Sequence, residues 1–318
     1  MNLLTSIKRE PAYLVQMILL ATILIVFYFV MGNQFFNQGS LSSILSQLPI
    51  ITLLSLGMAV SMLSGGINLS IVSGANASAL ACAYFITAHT DSTTYLFIGL
   101  FMGLLVSLII GFGNGIIISY FRASPILVTL GTMVLISGLN IQISGGKVIS
   151  GFPPSIQAIT NSSFLGVPYS IFILLASFIF IYIILNKTAL GKSIYLIGKN
   201  EKSSFYSGIN VSKITIIVYI ISALFSFLAA IMMMSQFNSA KAGYGESYLL
   251  TTILACVLGG LNPDGGFGRI AGVFISLIIL QLIESGFNIL GISSQLTMAI
   301  WGITLIAFIF IKRILFKS

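Results

Sequence analysis

Few side chains in this 318-residue chain could carry chemistry. Six are acidic (Glu10, Asp91, Glu201, Glu246, Asp264 and Glu284), one is a histidine (His89), and two are cysteines (Cys82 and Cys256). Acid–base and nucleophilic catalysis need such groups paired within hydrogen-bond reach. An intramembrane enzyme would need an Asp-Asp or His-Glu set at depth, and the sequence contains none. His89 lies beside Asp91 without a companion Cys or His, too few ligands for a metal site. Both cysteines fall in apolar runs and read as small packing residues, not as a disulfide, a metal site or a nucleophile. Ala189-Leu190-Gly191-Lys192-Ser193 carries the Gly-Lys-Ser end of a phosphate loop, but Asn186 stands where the first glycine belongs. The chain is therefore read as non-catalytic, with no cofactor of its own.

The elements that hold these residues are set by lipid. Hydrophobic residues make up 57% of the sequence and charged residues 6%, against about 25% charged in a soluble domain. A helix needs roughly 20 apolar residues to cross the hydrocarbon core. The sequence predicts spans over 13–31, 44–64, 67–88, 95–119, 125–143, 168–186, 214–236, 247–261, 270–288 and 294–311, the eighth being short. The second and third are joined by Ser64-Gly65-Gly66-Ile67-Asn68, either a tight turn or a break between half-helices. The run after Lys8 and Arg9 exceeds a signal-peptide core and lacks a small-x-small cleavage site, so it reads as a retained first helix.

Loop Lys and Arg residues stay cytoplasmic. With the N-terminus inside and ten crossings, Lys8, Arg9, Arg122, Lys187, Lys192, Lys199, Lys202, Lys213, Arg269, Lys312, Arg313 and Lys317 are all cytoplasmic, and only Lys147 and Lys241 lie outside. That places twelve of the fourteen basic residues on one side and both termini in the cytoplasm. The net charge of +8 is then the cytoplasmic flank of membrane helices facing anionic lipid. No basic stripe interleaves with aromatics, which argues against nucleic acid. The fold class expected is an all-α polytopic membrane protein, one transmembrane domain over 1–318 with a basic cytoplasmic loop over 187–213.

Within the spans, Gly99/Gly103 and Gly111/Gly115 suit close helix contacts. Asn68, Ser70, Ser73, Asn76 and Ser78 form a polar seam, joined by Asn140 and Gln142 at the end of the fifth span. Such groups must face other helices or water. They line a path for a polar, neutral solute, or they hold the bundle through interhelical hydrogen bonds worth about 0.6 kcal/mol each. Glu284, the only acid inside a span, faces the outer mouth of such a path or caps a neighbouring helix. Ion-coupled carriers usually keep several ionisable groups at membrane depth; one is thin support for that mechanism.

Four segments together resemble the membrane permease subunits of ribose-type ABC sugar importers, over about residues 44 to 311. The first runs from Leu56-Gly57-Met58-Ala59-Val60 into Ser64-Gly65-Gly66-Ile67-Asn68-Leu69-Ser70, similar to the family's G-G-I-D-L-S signature. The second is Gly113-Asn114-Gly115 with Pro125 through Met133, including Gly131, and then Gly145-Gly146. The third is Gly198-Lys199-Asn200-Glu201 through Ser207-Gly208-Ile209-Asn210-Val211. The fourth is Val257-Leu258-Gly259-Gly260, then Gly265-Gly266-Phe267-Gly268 and Gly272. Asn68 replaces the family's usual Asp, and Glu284 stands where the family often has Asn.

The resemblance implies a chain that works with others. A separate ABC ATPase subunit binds ATP and docks on the third segment, where Lys202-Ser203-Ser204 replaces the common Glu-Ala-Ala and Asn200, Glu201, Gly208 and Ile209 match. A solute-binding protein delivers a sugar or sugar-like solute at the outer face. A second permease subunit, identical or homologous, completes the path, in the bacterial inner (plasma) membrane. The alternative function is a secondary, ion-coupled sugar carrier, for which only Glu284 is available.

Overall fold

The computed structural model describes residues 11–89, 92–164 and 167–315. Lys8, Arg9, Glu10, Asp91 and Lys317 lie outside the described residues. The chain is a helical bundle: α1 (Pro11–Met31), α2 (Gln38–Leu63), α3 (Ile71–Ile86), α4 (Thr93–Tyr120), α5 (Pro125–Ser144), α6 (Pro154–Asn161), α7 (Tyr169–Lys187), α8 (Ala189–Lys199), α9 (Glu201–Tyr206), α10 (Val211–Phe237), α11 (Tyr248–Leu258), α12 (Ile270–Ile289) and α13 (Ser294–Leu315). Six of these (α2, α4, α5, α7, α10 and α12) are long and apolar enough to cross a membrane. Shorter apolar helices in α1, α3, α11 and α13 bring the set to ten among the described residues. This is the all-α polytopic architecture the sequence predicts, with helix ends close to the expected limits.

At about 1.5 Å per residue, the 16 residues of α3 and the 11 of α11 fall short of a 30 Å hydrocarbon core. Short helices and irregular backbone survive at that depth only inside protein, and α3 is enclosed along nearly its whole length. It packs on α4, α5 and α10, while α10 also packs on α2. The core follows this arrangement, with Leu53, Leu54, Met58 and Met62 of α2, Ile71 and Ala75 of α3, Tyr219 and Phe225 of α10, Leu254 of α11 and Val273 and Leu277 of α12 in one cluster.

The two glycine pairs of α4 serve different neighbours. A Cβ on Gly99 would lie 2.6 Å from Ile86 Cγ1 of α3, and one on Gly111 would lie 2.6 Å from the Tyr219 carbonyl of α10. Close helix approach through small residues is the ordinary association device in lipid. Cys82 sits in the contact with Gly103, and Cys256 is fully buried against the Ser55 carbonyl; both are free thiols.

The ends of the bundle differ. At one end lie the α2–α3 joint, the α4–α5 turn with Arg122, helices α8 and α9, and the loop before α12. At the other, strand β1 (Ile149–Ser150) pairs antiparallel with β4 (Ser239–Ala240), in register Ile149↔Ala240. That pairing brings Lys147 and Lys241 to the end opposite Arg122 and the 187–213 lysines. A second short pair, β2 (Ser163–Phe164) with β3 (Val167–Pro168), follows α6.

Candidate functional site: the glycine junction and the buried polar chain

The basic end is built around helix terminations. α2 ends at Leu63 because Gly65 takes a left-handed backbone (φ +90°). This lets Gly65 N–H donate to the Met62 carbonyl and Gly66 N–H to the Ser61 carbonyl, at 3.0 Å each. These two hydrogen bonds satisfy carbonyls that a helix end otherwise leaves open. The joint is therefore a capped turn, followed by a non-helical stretch that re-enters the bundle at Asn68.

That turn is packed against two other glycine loops. Gly266 N–H donates to the Leu63 carbonyl at 2.9 Å. A Cβ on Gly265 would lie 2.6 Å from Gly65 Cα, and one on Gly66 would lie 2.9 Å from Pro125 Cβ. Gly198, at the end of α8, abuts the Leu63 carbonyl and the Gly266 backbone. Tyr195 of α8 donates its hydroxyl to the Gly268 carbonyl at 3.0 Å. Segments 64–66, 198–199 and 265–266 thus meet backbone to backbone, with the Pro125 ring and the Tyr195 side chain packed against them. Gly259 belongs to the same end, where a side chain would strike Val273 of α12, and Gly260 closes α11 with φ +85°. Gly131 does not join them; it lies on α5, where an added Cβ would meet no atom of another element within 4 Å.

Helix α9 hangs from this junction. Asn200 caps its start, its Oδ1 accepting from Ser203 N–H at 2.9 Å, and Glu201 in the first turn complements the helix dipole. Gly208 (φ +82°) ends it, with Gly208 N–H to the Phe205 carbonyl and Ile209 N–H to the Ser204 carbonyl. Ser204 is buried and returns its hydroxyl to the Asn200 carbonyl at 2.9 Å. Glu201, Lys202 and Ser203 are exposed, as are Phe205 at 62% and Tyr206 at 86%. Residues of α9 and its flanks, with Ser64, Gly65, Arg122 and Pro125, line a cleft of about 880 Å³. The polar loop expected over 187–213 is two capped helices, and α8 buries Gly191, Ile194 and Ile197.

The polar seam leads inward from the joint. Asn68 Nδ2 donates to Ser222 Oγ at 2.9 Å, and its Oδ1 accepts from Ser70 Oγ at 2.8 Å and Ser70 N–H at 3.2 Å. Asn114 Nδ2 donates to Ser70 Oγ at 2.9 Å, and Thr132 Oγ1 donates to Asn114 Oδ1 at 2.6 Å. A continuous chain of side-chain hydrogen bonds therefore runs from α10 through the α2–α3 joint to α4 and α5. Ser73 donates to the Ser70 carbonyl, and Asn140 donates to the Ser73 carbonyl at 3.0 Å. Asn76 donates to the Ala242 and Tyr244 carbonyls, both at 2.9 Å, with its Oδ1 buried and unpartnered. Gln142 is exposed and stands apart from the chain.

Sequence reasoning missed Ser222, Ser226, Thr129 and Thr132 as members of this network. Ser226 donates to the Ile71 carbonyl at 2.7 Å, and Thr129 donates to the Ile67 carbonyl at 2.8 Å. A signal existed for one pair: Ser222 and Ser226 stand four apart on an otherwise apolar helix, hence on one face. Glu284 lies on α12, half-buried, with Oε2 enclosed and unpartnered.

Comparison with known proteins identifies the family of the chain. Residues 40–309 match the family described as branched-chain amino acid transport system / permease component. The ribose import permease protein RbsC of Bacillus subtilis (strain 168) is 34% identical over 202 residues, 63% of this chain and 63% of that protein. The autoinducer 2 import system permease protein LsrD of Salmonella typhi is 34% identical over 209 residues, 64% of this chain and 63% of that protein. LsrD of Yersinia enterocolitica is 29% identical over 231 residues, covering 71% of this chain and 70% of that protein. The chain thus spans a little under two thirds of the length of the first two relatives. No solved structure matches significantly.

Proposed function

This chain belongs to the permease-component family of membrane transport systems and resembles its ribose-type ABC sugar permeases, and from that premise we propose that it is the transmembrane subunit of an ATP-driven importer for a sugar or sugar-like solute. The basic end faces the cytoplasm of a bacterial inner membrane. A separate ATPase subunit docks on α9, a binding protein delivers solute at the opposite end, and a second permease subunit completes the path.

The observation that carries this reading is the construction of α9. A six-residue helix capped at both ends presents two aromatic rings to solvent. The two rings stand edge to face at 5.8 Å, and such a paired apolar surface on a capped helix suits a partner's groove. Its base is the glycine junction, where contact is backbone to backbone and leaves little room to flex. A push on α9 reaches α8, and through α8 it reaches the ends of α2, α7 and α10. Such a lever suits a chain that does no chemistry itself.

Co-purification with the ATPase tests this. Reversing charge at Glu201 (Glu201→Lys) or adding bulk at Gly208 (Gly208→Val) should release the ATPase and abolish uptake while the permease remains inserted. A Gly208→Val protein that still holds the ATPase and transports normally would remove α9 from the coupling role.

A further inference from the structure

At the end of the bundle away from the basic loops, a polar cleft of about 280 Å³ opens between the start of α2 and the end of α12. Its walls are two short stripes, Ser40, Ser43 and Gln47 on α2 and Gln281, Ser285 and Asn288 on α12. Each stripe repeats at three- and four-residue intervals, so each occupies a single helix face. We propose that this cleft is a contact site for a neutral, hydroxyl-rich solute, the place where an incoming sugar first meets the permease. The inference rests on the sugar-permease reading and names a place for the solute within it.

Three observations carry it. The cleft walls contain amides and hydroxyls but no ionisable side chain, which suits an uncharged ligand and rejects a charged one. The two amides are already ordered by each other: Gln281 Nε2 donates to Gln47 Oε1 at 3.3 Å, and Gln47 Nε2 donates to Ser43 Oγ at 3.1 Å. That arrangement leaves Gln281 Oε1 enclosed without a donor, on a residue only 2% exposed. A buried acceptor held open in this way costs stability unless something donates to it. Turning the Gln281 amide toward the cleft it lines would bring Oε1 to a solute hydroxyl, and Ser285 and Asn288 add further donors and acceptors on the same face. Gln47, Gln281, Ser43, Ser285 and Asn288 are none of the residues that the sequence alone singles out as path-lining.

The test uses the assembled transporter in intact cells. Cys82 and Cys256 are buried, so a membrane-impermeant maleimide reports on a single introduced thiol, Ser285→Cys, with Ser43→Cys on the facing helix as the second reporter should the first fail to insert. The probes are D-ribose, D-xylose, D-glucose and D-galactose. The expected result is labelling from outside that slows with whichever of these sugars the wild-type transporter imports. Adding Gln281→Leu should raise the half-protecting concentration about tenfold, the loss of one buried hydrogen bond. A thiol that is never labelled from outside, labelling indifferent to an imported sugar, or protection unchanged by Gln281→Leu each overturns the cleft assignment and leaves the permease reading standing. A wild-type transporter that imports none of the four sugars overturns the cleft's assignment to an incoming sugar, while membership of the permease family stands.

Discussion

Asn68 has its carboxamide committed on both sides. One edge donates to Ser222 and the other accepts twice from Ser70, so it ties the α2–α3 joint to α10. Asn68→Leu leaves those partners unsatisfied and should destabilise the protein by about 1–3 kcal/mol. Asn68→Asp keeps the acceptors, and the Ser222 hydroxyl can turn to donate to it. Thermal unfolding in detergent should therefore rank the wild type highest, then Asn68→Asp, then Asn68→Leu; an aspartate variant as unstable as the leucine would contradict the network. The polar seam was legible in the sequence as residue types but not as partners, because Asn68 and Ser222 are 154 positions apart. Nothing local says whether an intramembrane amide meets water or another helix. Asn140 and Gln142 show the same limit: two positions apart on one helix, the first is buried and bonded and the second is exposed.

The capped ends of the helices set the next scale. Gly265 and Gly65 touch backbone to backbone, so Gly265→Val must push the 259–269 loop off the end of α2. Overpacking of this kind costs about 1–3 kcal/mol, and the yield of folded protein should fall. Gly208→Val places a branched residue in a left-handed backbone (φ +82°), at roughly 1–2 kcal/mol. Its effect should appear in ATPase binding and uptake instead of membrane insertion, because α9 packs chiefly on α8 and α10. Equal loss of insertion in the two variants would contradict this division. The long spans were readable because an apolar run of about 20 residues has one stable solution in lipid. The 64–68 joint was not, since the left-handed Gly65 and its contact with Gly265 depend on a loop 200 residues away. Helix α6 was also unforeseen; its eight residues are anchored from α10 by Ser235, which accepts from the Thr160 N–H and hydroxyl.

For the whole molecule, the cation pattern in the sequence and the spatial gathering of loops agree. Arg122, the 187–213 lysines and the loop before α12 share one end, and Lys147 and Lys241 lie at the other. If the basic end is cytoplasmic, Ser203→Cys on α9 should resist an impermeant thiol reagent in intact cells and react once the membrane is opened, whereas Lys241→Cys should react at once. Labelling in the reverse order would invert the molecule. The source of energy remains the central claim. Under the proposed function, the chain draws its work from ATP hydrolysed on a partner docked at α9. Uptake of radiolabelled sugar by cells carrying the permease, its ATPase and its binding protein tests this most directly. The account predicts uptake that stops when ATP is depleted and continues when a protonophore collapses the proton gradient at constant ATP. Uptake that survives ATP depletion and fails with the gradient would mean that the chain is an ion-coupled carrier.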